Sequence, residues 1–316
     1  MVDYLILIAG FVSLIFGADK LVDASSSLAS RLGVPNIVIG LTIVAFGTSA
    51  PELVVNVFAA TGGSTEMVLG NVLGSNIFNI LAILGVCSLI RPLTVKTNTT
   101  WLEIPLSLLA AVSVLLVSGD ALLDGAAVGL ISRTEGLLLL LFFAIFLVYN
   151  LRLAQGGAAG EETETKDYTY LQALLLIGLG LAGLVVGGRL IVTSAVGIAQ
   201  ALGLSERVIG LTVVSIGTSL PELATSVVAV RKRNVDIAIG NVVGSNIFNI
   251  FLILGLSTVI APLPVSKSSF LDIAVNIAAS LLLFVFLFTG KGRQLVRWEG
   301  MILLACYMAY LAVLVS

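Results

Sequence analysis

Ten apolar stretches run along almost the whole chain, near residues 4–30, 37–60, 66–90, 102–119, 126–151, 169–200, 206–230, 235–261, 269–289 and 298–316. A helix that crosses a bilayer needs about 20 mostly apolar residues. In lipid every backbone N–H and C=O must be satisfied inside the protein, which favours helices. The runs therefore predict an all-α integral membrane protein with ten transmembrane helices. Several are longer than one crossing requires, so tilted or broken helices are expected. Only 11% of the residues are charged, against about 25% in a soluble domain. The first run opens on Met1-Val2-Asp3-Tyr4, with no basic segment and no small-residue cleavage site. It reads as the first span rather than as a signal peptide.

One solvated segment interrupts the pattern. Residues 152–168 hold Gly156-Gly157 and Glu161-Glu162-Thr163-Glu164, a linker too short to carry a folded domain. Lys and Arg near helix ends set the orientation. With the N-terminus outside, twelve of the sixteen basic residues fall on the inner side and only Arg133, Arg189, Arg207 and Lys267 on the outer side. Both termini are thus expected outside, in a multi-pass protein of the plasma membrane.

A net charge of −2 argues against a nucleic-acid partner. The chain has no histidine, which removes imidazole metal sites and Ser-His or Cys-His catalysis. Cys87 and Cys306 sit in separate apolar runs and read as small buried hydrophobes. An enzyme is not expected.

The chain is internally duplicated. Residues 40–53 (GLTIVAFGTSAPEL) return as 210–223 (GLTVVSIGTSLPEL), and 70–80 (GNVLGSNIFNI) returns as 240–250 (GNVVGSNIFNI). Both shifts are 170 residues. The chain thus divides into a five-helix repeat at 1–151, a cytoplasmic linker at 152–168 and a second five-helix repeat at 169–316. Five is odd, so the second copy enters the membrane from the opposite side. Two inverted repeats, with broken helices meeting at the midplane, are a signature of secondary transporters.

The duplicated residues are polar. Glu52 and Glu222 lie deep in matching apolar runs, where a carboxylate costs roughly 2.5–3.5 kcal/mol on insertion scales. A bound cation offsets that cost; a protonated carboxyl bonded to a neighbouring helix is the alternative. Thr48 and Ser49 precede Glu52 by four and three residues, as Thr218 and Ser219 precede Glu222. On an unbroken helix that spacing shares one face. Pro51 and Pro221 lack an N–H and loosen the turn around Gly47 and Gly217. Freed carbonyls are tolerated at this depth where they are buried or coordinate something. Ser75 with Asn79, and Ser245 with Asn249, are four apart and add hydroxyls and amides. Oxygen-only ligands suit hard cations such as Ca²⁺ and Na⁺. Gly70 with Gly74, and Gly240 with Gly244, allow close helix approach.

These two motifs, each present twice, resemble the repeats of the cation/Ca²⁺ exchanger superfamily, in its prokaryotic Na⁺/Ca²⁺ exchanger branch, and the resemblance covers the whole chain. It implies a secondary antiporter that swaps Na⁺ for Ca²⁺, with no cofactor and no soluble protein partner, functional as a monomer. It implies that Glu52 and Glu222 bind Ca²⁺ directly and share in Na⁺ binding, with the carbonyls of Thr48 and Thr218 completing the Ca²⁺ site. Ser49, Ser75 and the Ala45 carbonyl would form one Na⁺ site with Glu52. Ser219, Ser245 and the Ser215 carbonyl would form the other with Glu222. Asn79 and Asn249 would line the centre. Many relatives carry Asp at one of these last two positions; two Asn leave two formal negative charges and make K⁺ co-transport less expected. An H⁺/Ca²⁺ antiporter keeps the same fold, since both Glu can titrate. A passive channel would show a filter built by oligomer symmetry, whereas here the repeats close a site within one chain. An intramembrane hydrolase lacks the His or paired Asp it would need.

Overall fold

A computed structural model describes residues 2–119, 129–156, 166–201, 215–289 and 292–315. Expectations resting on residues 210–214 of the repeated motif, on 157–165 of the linker, and on Arg207 and Lys291 lie outside the described residues. Helix α1 spans Val2–Leu32. It is followed by α2 (Asn36–Thr48), α3 (Ala50–Thr61), α4 (Thr65–Ile90), α5 (Thr99–Val117) and α6 (Arg133–Gln155). The second half holds α7 (Tyr170–Ala201), α8 (Ser215–Thr218), α9 (Leu220–Arg231), α10 (Val235–Ile260), α11 (Ser269–Thr289) and α12 (Arg297–Val315). Among the described residues eight helices are long and apolar enough to span a membrane. A ninth span is α2 with α3, bent by 47°. The residues that would precede α8 in a tenth lie outside those described.

The fifth span starts later than its apolar run. Residues Gly129–Ile131 form a strand, β2, and the helix begins only at Arg133. Ser132 decides the start. Its hydroxyl accepts from the Glu135 N–H while Glu135 Oε2 accepts from the Ser132 N–H at 2.6 Å, a reciprocal cap that fixes a helix N-terminus.

Secondary structure recurs with the sequence. Helix α3 matches α9, and α4 matches α10, each boundary shifted by the same 170 residues. Both long helices carry a π-helical turn, Phe78–Leu84 and Phe248–Leu254, a widened geometry frequent at functional sites. They also form the centre of the bundle. The apolar window of α10 is 94% buried and that of α4 78%, against 17% for α6, so the outer helices present their apolar surface to lipid. Two short antiparallel ribbons join loops across the halves: β1 (Leu93–Thr94) pairs with β4 (Gln294–Leu295), and β2 with β3 (Leu263–Val265).

Helices α1 and α7 pack backbone to backbone. A Cβ on Gly17 would lie 2.6 Å from the Gly180 carbonyl, and one on Gly187 would lie 2.6 Å from the Leu14 nitrogen. The Ser13 hydroxyl donates to the Gly183 carbonyl at 2.9 Å. Small residues make this approach possible where lipid supplies no hydrophobic drive. Gly240 and Gly244 do the same for α10 against α2, where added Cβ atoms would meet the Ile37 carbonyl and Leu41 Cα at 2.9 Å. Around Gly70 and Gly74 no described residue lies within 4 Å of such a Cβ.

An ion-pair network gathers at one end. Lys232 Nζ meets Asp19 at 2.5 Å and Asp23 at 2.6 Å, and Lys166 meets Asp23 at 2.8 Å. Arg31 pairs with Asp167, and Lys96 with Asp236 at 2.6 Å. Lys166 lies outside the spans. Its hydrogen bond to Asp23 and the attraction of that carboxylate hold its ammonium above the usual lysine range.

Candidate functional site

The two Pro-Glu segments break their helices in the same way. Ser49 (φ −84°, ψ 2°) and Ser219 (φ −90°, ψ 8°) leave helical geometry, and the chain restarts with proline in the first turn of α3 and α9. Proline fits there because that N–H has no intrahelical acceptor. Glu52 and Glu222 fall in the same first turn, where the positive end of the helix dipole favours a carboxylate. Both are about 98–99% buried, and each carboxyl lies within electrostatic reach of the other half.

The break overturns the shared-face argument drawn from spacing. Thr48 and Ser49 precede the bend and Glu52 follows it, so the serine hydroxyls turn away from their own glutamates. Ser49 Oγ donates to Glu222 Oε1 at 3.1 Å, and Ser219 Oγ to Glu52 Oε1 at 3.5 Å. Each glutamate is met by the other half's serine. Thr48 and Ser245 also lie beside Glu222, and Thr218 beside Glu52.

Most of the other sequence-derived positions lie inside the bundle. Thr48, Ser49, Ser75, Asn79, Ser219, Ser245, Asn249 and the backbone around Ala45 are buried, and Thr218 is half-buried. The Ala45 carbonyl is not free: it accepts from the Ser49 N–H at 2.9 Å and from Thr48 Oγ1 at 3.3 Å. Ser215 opens α8, and its side chain lies outside the described set.

Sequence reasoning missed a layer of asparagines behind these groups. Asn56 Nδ2 donates to the Glu52 carbonyl at 2.7 Å. Asn241 accepts from Thr48 Oγ1 at 2.9 Å and donates to the Glu222 carbonyl at 3.2 Å and to Ser226 Oγ at 3.0 Å. Asn76 and Asn246 bond across the halves to Asn249 and Asn79. A signal existed, since Asn71, Asn76, Asn241 and Asn246 all belong to the duplicated motif.

Besides Asn56 Oδ1 and Asn71 Nδ2 of the asparagine layer, six buried atoms at the sequence-derived positions are left without a hydrogen-bond partner among the described residues. They are Glu52 Oε2, Glu222 Oε2, Asn79 Oδ1, Asn249 Oδ1 and the hydroxyls of Ser75 and Ser245. Buried polar atoms are nearly always partnered, and an orphan costs free energy. All six are oxygens and none is a nitrogen or sulfur donor, a set that fits a hard cation. Among the described residues no Lys or Arg pairs with either glutamate; Lys20 lies 3.6 Å from Asp19. A cleft of about 340 Å³, lined by Pro51, Gly188, Arg189, Thr193, Thr218 and Pro221, reaches the helix breaks along α7.

Comparison with known proteins gives a consistent picture. The family described as sodium/calcium exchanger protein matches residues 2–152 and 172–316. The sodium/calcium exchanger MaX1 of Methanosarcina acetivorans is 35% identical, with 99% of this chain and 98% of that protein covered. The inner membrane protein YrbG of Escherichia coli is 37% identical over 98% of this chain and 95% of its own length. The structure of the sodium-calcium exchanger NCX_Mj, soaked with 10 mM Na⁺ and zero Ca²⁺, superposes with a TM-score of 0.82 at 33% identity, covering 98% of both chains.

Proposed function

This chain is a multi-pass membrane protein of the sodium/calcium exchanger family, and from that premise we propose that it exchanges Na⁺ for Ca²⁺ at one site shared by Glu52 and Glu222. The observation that carries this reading is the set of six unpartnered buried oxygens drawn equally from the two halves. One Ca²⁺ takes both carboxylates, with the carbonyls of Thr48 and Thr218 and the amide oxygens of Asn79 and Asn249 completing a shell of six to eight oxygens. Na⁺ ions occupy flanking positions, each built from both halves. One draws on Ser49 and Ser75 near the Ala45 carbonyl, the other on Ser219 and Ser245 near the Ser215 carbonyl. The crossed serine bonds make Glu222 and Glu52 their respective carboxylate partners.

Charge gives the coupling. Two carboxylates held close in a low-dielectric interior repel one another, and either one Ca²⁺ or several Na⁺ neutralise them. A loaded site crosses the closed, dry state at lower cost than an empty one, so the ions exchange rather than leak. The two repeats, 1–151 and 169–316, are inverted about an axis in the membrane plane, giving ten spans. Alternating access then comes from motion of one unit against the rest. We propose the α1–α7 pair, packed backbone to backbone, as that unit. The cleft along α7 supplies the approach. The ion-paired end holding Arg31, Lys96, Lys166 and Lys232 is cytoplasmic, which leaves both termini outside the plasma membrane. Each monomer is a complete transporter, and the process needs no cofactor.

The test is ⁴⁵Ca²⁺ uptake into proteoliposomes driven by a Na⁺ gradient, with the proton gradient collapsed. Wild-type protein is expected to accumulate Ca²⁺, and Glu52→Gln and Glu222→Gln each to abolish uptake. Uptake that follows the proton gradient and ignores Na⁺ would assign the driving ion to H⁺. Normal Na⁺-driven uptake by both variants would refute the shared-glutamate site.

A further inference from the structure

Four buried asparagines, two from each half, form a closed hydrogen-bonded lattice between α4 and α10. Asn76 Nδ2 donates to the Asn246 backbone carbonyl at 3.1 Å, and Asn246 Nδ2 to the Asn76 carbonyl at 3.5 Å. Asn249 Nδ2 donates to Asn76 Oδ1 at 2.9 Å, and Asn79 Nδ2 to Asn246 Oδ1 at 3.0 Å. All four residues are 1% exposed.

The polarity of this lattice is fixed by its backbone carbonyls. A backbone carbonyl can only accept, so Asn76 must turn its NH₂ toward Asn246. Its Oδ1 then faces Asn249, and an acceptor demands a donor there. Asn249 is obliged to present Nδ2, which leaves its Oδ1 on the other corner of the amide, buried and unpartnered. The same chain of constraints runs from the Asn76 carbonyl through Asn246 to Asn79 Oδ1. Ser75 and Ser245 stand one turn before these amides, and Ser245 lies beside Glu222. In the cation site proposed above, these free oxygens of α4 and α10 are the ones offered to the ion.

We propose that Asn76 and Asn246 are positioning residues: they read a fixed backbone carbonyl in the opposite half and force Asn249 and Asn79 to offer oxygen rather than NH₂ to the transported cation. Without them either amide can rotate by half a turn and point two N–H donors at a positive ion. The inference rests on the cation site proposed above and names what orients its neutral ligands. Because each amide is oriented by the opposite half, the central oxygens stay aligned only while α4 and α10 remain in register. The tighter of the two arms, through the 3.1 Å bond of Asn76, is expected to dominate.

A carboxylate has two equivalent oxygens and needs no orienting, and this gives the test. Ca²⁺ KM and kcat would be measured by Na⁺-driven ⁴⁵Ca²⁺ uptake for wild type, Asn76→Leu, Asn249→Asp and the double variant. Asn76→Leu is expected to raise KM about tenfold with a smaller effect on kcat. Asn249→Asp should then lower KM at least about tenfold more in the Asn76→Leu background than in wild type, where the new carboxylate meets the Asn76 oxygen. A wild-type KM in Asn76→Leu, or an equal effect of Asn249→Asp in both backgrounds, overturns the proposal. Loss of packing alone would not be rescued by Asp. If Asn76→Leu does not fold, the mirrored cycle of Asn246→Leu with Asn79→Asp decides by the same criterion. Failure of wild type to take up Ca²⁺ would instead refute the site itself.

Discussion

Ser49 meets the opposite glutamate at 3.1 Å, Ser219 only at 3.5 Å. The Glu52 carbonyl is tied by Asn56 of its own helix, the Glu222 carbonyl by Asn241 of the next. Asn241 has both ends bonded, while its counterpart Asn71 leaves Nδ2 without a partner among the described residues. The halves thus present matching polar groups in differently braced frames. Duplication conserves chemistry, and local substitutions such as Asn56 against Ser226 divide the flanking positions into unlike pairs. In the proposed exchange, such unlike positions serve a carrier that holds several small ions on one side of its cycle and one divalent ion on the other.

The strongest challenge to this comparison is to shorten each carboxylate in turn. Glu52→Asp and Glu222→Asp each withdraw the ligand by about one bond, and a 1 Å misplacement costs on the order of 100-fold. Both are expected to lose Na⁺-driven ⁴⁵Ca²⁺ uptake to that degree. If one variant retains near-normal rates, the centre is not shared equally. Next come the bracing asparagines. Asn241→Ala removes three bonds and should lower stability by about 3 kcal/mol, against about 1 kcal/mol for Asn56→Ala. Thermal unfolding in detergent would read the order, and equal midpoints would erase the difference in bracing.

The serines should give a smaller and graded response. A hydrogen bond to a charged group contributes about 1.5–3 kcal/mol, weakening as it lengthens. Ser49→Ala is expected to raise the half-saturating Na⁺ about tenfold and Ser219→Ala about threefold. The reverse order would show that the 3.1 and 3.5 Å contacts do not persist during transport. Least affected should be Lys166→Gln, whose partner Asp23 lies on α1. Exposed pairs contribute little and are screened by salt. Because its pKa is raised in the folded protein, the pairing is complete below the ordinary lysine range and is lost as pH rises through the folded value. Exchange rates of this variant and wild type should differ by less than about twofold from pH 6 to 9 and converge only as the pH climbs past the ordinary lysine value of about 10.4.

Much of the fold was legible because its signals are local. Among the described residues apolar runs marked spans within a few residues, except where Ser132 restarts the chain as a helix three residues after β2 begins. Proline before glutamate marked both breaks. The pairing of serine with glutamate was not legible, because spacing of three or four implies a shared face only on a continuous helix, and Ser49 and Ser219 end that continuity. The asparagines were visible in the motif yet unassigned, since an amide's role depends on what it faces.

The chain alone determined its solvent, its duplication and the oxygen chemistry of its polar motifs. Those follow from composition and periodicity, which any stretch of sequence carries by itself. Tertiary structure decided which half's hydroxyl meets which carboxylate, which helices touch backbone to backbone, and which end of each buried amide is left free. Contacts between residues some 170 apart depend on bends and helix crossings that no local pattern encodes.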